Sequence, residues 1–176
     1  MTSHPSFADE NDLIEAAQQG KLEAFTVLYE RYLPAVFNRV RYLVPEEDVE
    51  DVTQDVFIAA LRSLRGFRGT AQFSTWLRTI TNRQIADYYR RRHLPESALD
   101  ERLRAPHDPV AADEVFIIRQ AFRRLPQKYQ EILLLRFAEG LHFDEIARLQ
   151  GRTLEATKSF FRRAVAALHK QVTGNE

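Results

Sequence analysis

Apolar residues recur at helical spacing along almost the whole chain, and no stretch alternates apolar and polar residues as a half-buried strand would. That pattern restricts the chain to an all-α fold, and prolines and glycines then mark where the helices stop. A short helix is predicted from about Asp12 to Gln19, closed by Gly20. A longer one follows from about Leu22 to Leu43, with Phe25, Leu28, Tyr29, Tyr32, Val36 and Val40 inward. Pro34 lies inside it, where the missing N–H should kink or split the helix. Pro45 suits the first turn of a third helix, and Glu46, Glu47 and Asp48 suit its positive end. That helix should run to about Leu64. The loop "RGFRGTAQ" follows, and Ser74 is the predicted N-cap of a fourth helix, "FSTWLRTITNRQIADYYRRRH".

The stretch "HLPESALDERLRAPHDPVAADE" breaks the pattern with three prolines and mixed charge, and reads as a flexible linker. Beyond it, helices are predicted from about Ala111 to Leu125, from Pro126 to just before Gly140, from Phe143 to Gln150, and from Thr153 to about Val172. The expected fold is therefore two small helical domains: residues 1–94, a linker at 95–112, and residues 113–176.

Net charge implies no partner, because 25 basic residues balance 25 acidic ones in 176 residues. The balance conceals sorting. Leu43 to Ile58 holds six acids and no base, and Arg62 to Arg92 holds eight arginines and one acid, Asp87. Pro95 to Val115 has six acids and two arginines, and Phe116 to Glu176 has eleven bases and six acids. Such blocks suit surfaces of opposite sign directed at different partners, although each alone also suits a solvated helix face. Cysteine is absent, which excludes disulfides and thiolate chemistry. The polar start "MTSHPSFADENDL" lacks a signal-peptide core, and no apolar run approaches the roughly 20 residues that span a bilayer. A soluble, cytoplasmic protein without membrane insertion is expected.

Three constellations carry chemistry. In "LHFDEIARLQGRTLEATKSFFRRAVAALHK", two helices flank a short glycine-containing turn, the layout of a helix-turn-helix. Phe143, Ile146, Ala147 and Leu149 give the first helix its apolar face. Gly151 sits at the left-handed C-cap position and Thr153 can cap the second helix. On that second helix Leu154, Thr157, Phe161, Val165 and Leu168 form one stripe. Glu155, Lys158, Ser159, Arg162 and Arg163 form another, suited to guanine edges and phosphates. An ordinary helical hairpin with a basic solvated face would show the same pattern.

In "EEDVEDVTQDVFIAALRSL", Val49, Val52, Val56, Ala59 and Ala60 face inward. Glu47, Asp48, Asp51, Gln54, Asp55 and Ile58 face outward. An isoleucine amid carboxylates suits docking of a basic partner with an apolar contact, or is a single exposed apolar residue. On the fourth helix, Phe73, Leu77, Ile80 and Tyr88 share a core stripe, while Trp76 aligns with Arg83, Asp87 and Arg90. Aromatic rings beside arginines provide stacking surfaces and cations for single-stranded nucleic acid, and a tryptophan at a core edge is the plain alternative.

Together and in this order, "AFTVLYERYLPAVF", "EDVEDVTQDVFIAAL", "LRGFRGTAQFSTWLRTITNRQIADYYRRR" and "LPQKYQEILLLRFAEGLHFDEIARLQGRTLEATKSFFRRAVAAL" resemble the extracytoplasmic-function (group four) sigma factors. These are bacterial initiation subunits with only the sigma-two and sigma-four domains, and the similarity spans roughly Leu13 to Leu168. The resemblance implies that Asp48, Asp51, Gln54, Asp55 and Ile58 dock on the beta-prime clamp helices of core RNA polymerase. It implies that the loop from Arg65 to Ser74, with Phe67 and Arg68, holds a flipped base of the −10 element. Trp76, Arg83, Asp87 and Arg90 to Arg92 would line the opened strand. Arg152, Glu155, Lys158, Ser159, Arg162 and Arg163 would read the −35 element. An anti-sigma factor is the further partner it implies.

The chain departs from the family pattern in three places. Arg83 stands where asparagine is frequent, with Asn82 one position earlier. Phe160 in "ATKSFF" replaces a basic residue of "TVKSRL", removing one expected phosphate contact. "QGRTLE" replaces the usual "LGVPVG" turn, leaving Arg152 to reach the DNA backbone. No nucleophile, metal or cofactor is called for: His4, His93, His107, His142 and His169 show no ligand spacing, and no phosphate-binding glycine loop is present. The competing readings are a stand-alone helix-turn-helix regulator of duplex DNA, which leaves "DVTQDVF" and the tryptophan stripe unexplained, and a helical hydrolase, for which no catalytic constellation is visible.

Overall fold

The computed structural model describes residues 9–92 and 117–174, and no strand occurs among them. The predicted linker at 95–112, the start of the helix read from Ala111, and His4, His93 and His107 lie outside the described residues. Those described fall into two compact units, one built from residues 9–40 and 47–92 and the other from residues 41–46 and 117–174. No helix among them is long and apolar enough to cross a membrane.

In the first unit, α1 (Glu10–Gln18) begins earlier than its apolar periodicity suggests, because Asp9 caps it: Asp12 N–H donates to Asp9 Oδ1 at 2.9 Å. α2 (Leu22–Leu43) runs unbroken through Pro34. Of the kink or split expected there, the split does not occur. Pro34 and Glu30, whose carbonyl loses its amide partner, are both exposed, so water can satisfy that carbonyl. A 3-10 turn, Glu46–Asp48, precedes α3 (Val49–Ser63), and a second one, Leu64–Gly66, follows it. α4 (Phe73–Arg92) packs along α3. The carbonyl of Gln72 accepts from the amides of Thr75 and Trp76 at 3.0 and 3.1 Å, so Ser74 lies in the first turn and is not the N-cap.

The core of this unit joins Leu13, Leu28, Val40, Val56, Leu64 and Leu77, each almost fully buried. Burial of such a side chain contributes about 1.5–3 kcal/mol. Thr81 is also fully buried, and its hydroxyl is satisfied by donating to the Leu77 carbonyl at 2.9 Å.

In the second unit, α5 spans residues 117–123 and α6 is Gln127–Leu133, with Pro126 at its N-cap. Gln130 ties the two together, its Nε2 donating to the carbonyls of Arg123 and Leu125 at 3.0 and 2.9 Å. α6 loosens into a π-helical segment, Leu134–Ala138, before Gly140 turns the chain at φ +70°. The hairpin follows as α7 (Phe143–Gln150) and α8 (Leu154–Thr173). Its turn is built as the sequence suggests. Gly151 sits at φ +61°, Arg152 N–H donates to the Ala147 carbonyl at 2.9 Å, and Thr153 Oγ1 accepts from Ala156 N–H at 3.2 Å.

The buried stripe of α8 is rotated from the predicted one. Thr157, Phe160 and Ala164 are buried and Phe161 and Leu168 half-buried, whereas Leu154 and Val165 are exposed. Leu149, assigned to the inner face of α7, is also exposed.

Candidate nucleic-acid interface

The outer side of α3 presents Asp51, Gln54 and Ile58 to solvent, with Asp55 half-buried and Ile58 46% exposed. Leu61, one turn further on, is equally exposed and extends the apolar contact beyond what the sequence indicated. Asp48 does not belong to this face. It is only 7% exposed, and its Oδ2 accepts from the Tyr88 hydroxyl at 2.6 Å, bridging the start of α3 to α4. The cause is the 3-10 turn at Glu46–Asp48, which advances about 120° per residue rather than 100° and so carries Asp48 inward. Asp55 also has a partner within the molecule: Arg91 Nη2 stands 3.1 Å from Asp55 Oδ2.

Around the start of α4, three rings form a wall. Phe67, Phe73 and Trp76 lie with centroids 5.2 to 5.7 Å apart, in tilted and edge arrangements. Phe73 is buried and anchors the other two, which are half-buried, so Trp76 is both an edge residue and an accessible ring. Arg68 is exposed beside them, next to Gly69 at φ +67°. The backbone leading to Phe67 is held by a residue that helical periodicity gives no reason to single out. Gln18 Nε2 donates to the carbonyls of Leu64 and Phe67 at 3.0 and 2.7 Å. Two carbonyls converging on one amide become visible only after the loop has folded.

Further along α4, Arg83 is exposed, and Asn82 Oδ1 accepts from the Nε of buried Arg39 at 2.9 Å. Asp87 and Arg90 are ion-paired. The stripe from Trp76 to Arg91 therefore carries mixed charge, and the side chain of Arg92 lies outside the described part. Tyr32 packs its ring 5.2 Å from Phe73 and donates its hydroxyl to Glu10 Oε2 at 2.7 Å. Burial, reinforced by the Glu10 carboxylate, pushes the Tyr32 phenol well above its ordinary range.

On the hairpin, Glu155, Ser159, Arg162 and Arg163 are exposed along one side of α8, with Lys158 half-buried among them and paired to Glu155 at 3.1 Å. These are the side chains predicted to form one polar stripe, and the structure brings them together. Phe160 does not stand on that surface in place of a cation. It is 5% exposed, with its ring 5.2 Å from that of Tyr129. Arg152, expected to extend toward DNA, has its guanidinium 4.3 Å from the Phe160 centroid.

An acidic face with apolar residues, an aromatic wall beside arginines, and a helix-turn-helix with a basic second helix thus occur in one chain. Residues 28–94 match the family described as Sigma-70 region 2, and residues 116–168 the family described as Sigma-70, region 4. The chain is 30% identical over 176 residues to the ECF RNA polymerase sigma-E factor of Escherichia coli strain K12, covering 91% of this chain and 92% of that protein. It is 34% identical over 167 residues to the ECF RNA polymerase sigma factor BldN of Streptomyces coelicolor, covering 89% of this chain and 63% of BldN. Among solved structures, CnrH in complex with the cytosolic domain of CnrY superimposes with a TM-score of 0.68 at 26% identity, covering 97% of this chain and 100% of CnrH.

Proposed function

The chain belongs to the extracytoplasmic-function sigma factors of the sigma-70 family, and from that membership we propose how its surfaces act on polymerase and promoter. It is an alternative sigma factor, a member of a family of transcription factors rather than enzymes. We assign residues 1–94 to the sigma-2 domain, 95–112 to the linker and 113–176 to the sigma-4 domain, with the cytoplasm as the site of action.

Asp51, Gln54, Asp55 and Ile58 form the face that docks on the beta-prime clamp helices of core RNA polymerase. Carboxylates steer a basic partner into register, and Ile58, joined by Leu61, supplies the desolvated centre. Asp48 serves this face from behind by fixing α3 to α4 through Tyr88. Phe67, Arg68 and Trp76 receive the −10 element, with Arg83, Asp87, Arg90 and Arg91 along the strand. Opening a duplex costs unstacking energy, and a rigid aromatic wall offsets part of it by stacking an unpaired base. No covalent step is involved. Glu155, Lys158, Ser159, Arg162 and Arg163, with Arg152 at the turn, read the −35 element from the major groove. The likeness to CnrH, solved with a protein partner, supports an anti-sigma factor that sequesters these surfaces.

The observation that carries this reading is that the region 2 and region 4 matches occur in that order in one chain, which a stand-alone helix-turn-helix regulator does not require. The test mixes purified protein with core RNA polymerase. Comigration and promoter-dependent transcripts are expected; a protein that binds duplex DNA as a dimer and leaves the polymerase unengaged would replace this reading with the regulator.

A further inference from the structure

α8 carries an aromatic ring, Phe160, between Ser159 and Arg162 in sequence, on the buried stripe that backs the side assigned to DNA reading. Phe160 is buried against Tyr129 from within, and from outside it is met by two cations. The guanidinium carbon of Arg152 lies 4.3 Å from the ring centroid and that of Arg163 lies 5.5 Å from it. Both distances fall within cation–π range. Because the two arginines share one ring, their charges lie no farther apart than the sum of those distances. They reach it from different directions in the chain. Arg152 belongs to the turn, where its backbone is fixed by the Ala147 bond and the left-handed Gly151, and Arg163 lies three residues beyond Phe160 on the helix. Both residues remain exposed.

A long arginine side chain ordinarily loses rotamer freedom when it is immobilised on a partner, and that loss subtracts from affinity. A guanidinium already held over a ring has given up part of that freedom, while its five N–H donors stay available to phosphate oxygens. We infer that Phe160 is a positioning residue for promoter binding, holding Arg152 and Arg163 as a preformed pair for the phosphate backbone that flanks the −35 element. This rests on the −35 reading of α8 given above. On this account the ring replaces one cation on the helix with two that are held in place.

The test uses holoenzyme reconstituted from the full chain and core polymerase. The probe is a duplex carrying the −35 element that the wild-type holoenzyme selects from a random library, titrated over a range of salt. Phe160→Leu keeps an apolar filler and removes the ring, and Phe160→Met does so with a different shape should the first fold poorly. The expected result is about five-fold weaker duplex binding, with a salt slope shallower by roughly one. Arg152→Ala should also cost much less affinity in the Phe160→Leu background than in wild type. A ring with a purely structural role would lower the melting temperature and the active fraction, but leave the salt slope and the cost of Arg152→Ala unchanged; that result overturns the inference. Arg162→Ala separates the two levels. If the wild-type holoenzyme shows no discrimination between −35 sequences for Arg162→Ala to reduce, the −35 reading itself fails, and this inference with it.

Discussion

Arg91, in the last turn of α4, stands 3.1 Å from Asp55 on the outer side of α3, so a residue assigned to promoter DNA and one assigned to polymerase neutralise each other in the isolated chain. Arg91 is well exposed and Asp55 partly so, and such a pair contributes at most about 1 kcal/mol. Its consequence is for the choice of variant. Asp55→Arg would set two arginines together and disturb α4, whereas Asp51 is exposed on the same face with no ion-pair partner among the described residues. Asp51→Arg is therefore expected to weaken binding to core polymerase at least ten-fold, through like-charge contact with a basic surface, while leaving thermal stability within about 0.5 kcal/mol. Titration of labelled core polymerase, with a melting curve alongside, measures both. Unchanged affinity would remove α3 from the docking surface.

Asp48 makes the opposite prediction from its acidic neighbours. Its buried carboxylate takes a 2.6 Å hydrogen bond from Tyr88, so Tyr88→Phe should cost about 1.5–3 kcal/mol of stability, the range for a bond to a charged group. Urea denaturation followed by far-UV circular dichroism reads it directly. A cost below about 0.5 kcal/mol would mean that the other contacts of Asp48 suffice to hold it.

These two aspartates, three residues apart, show where the sequence was legible and where it was not. Helical periodicity located the helices, and short-range chemistry placed the caps at Gly151 and Thr153, because both signals are local. The wheel failed at Asp48 since it assumes one angular step, and a 3-10 turn changes the phase of everything within it. Phe160 was misassigned for a related reason. Family position put it on the polar side, but Thr157, Phe160 and Ala164 form the deepest stripe of α8, and two arginines cover the ring's outer exposure. Gln18 and Gln130 were invisible because each satisfies two carbonyls of a distant or irregular segment, a relationship that no spacing encodes.

Tyr32 supplies a pH-dependent test. Its phenol is raised above the ordinary value of 10.0, first by burial and then by Glu10, so the native state keeps its proton where the unfolded chain releases it. Above about pH 10 the unfolded state binds fewer protons than the native state, so stability falls as pH rises. The contribution is fully present below that pH and is lost above it. Wild-type stability should therefore decline more steeply than that of Tyr32→Phe above about pH 10, by at most about 1.4 kcal/mol per pH unit. Parallel curves for the two proteins through that window would show that Tyr32 ionises as readily in the folded chain as in the unfolded one.

Gln18 links the fold most directly to strand opening. Its amide donates to the carbonyls of Leu64 and Phe67, which bracket the 3-10 turn Leu64–Gly66 and set the loop that carries Phe67 to the wall with Trp76. Gln18→Glu is nearly isosteric, but it removes both donors and brings a carboxylate against two carbonyl oxygens. The expected loss of stability is about 1–3 kcal/mol, borne by the loop more than by the helices. Because α8 belongs to the other compact unit, binding of duplex −35 DNA by the holoenzyme should stay within about two-fold of wild type, the change expected for sites that do not share contacts. Promoter opening, followed by the reactivity of unpaired thymines to permanganate, should fall at least ten-fold, as misplacement of the base-receiving wall by about 1 Å would cause. Equal losses in opening and in duplex binding would mean that the substitution unfolds the protein generally. Normal opening would show that Phe67 and Trp76 keep their places without Gln18.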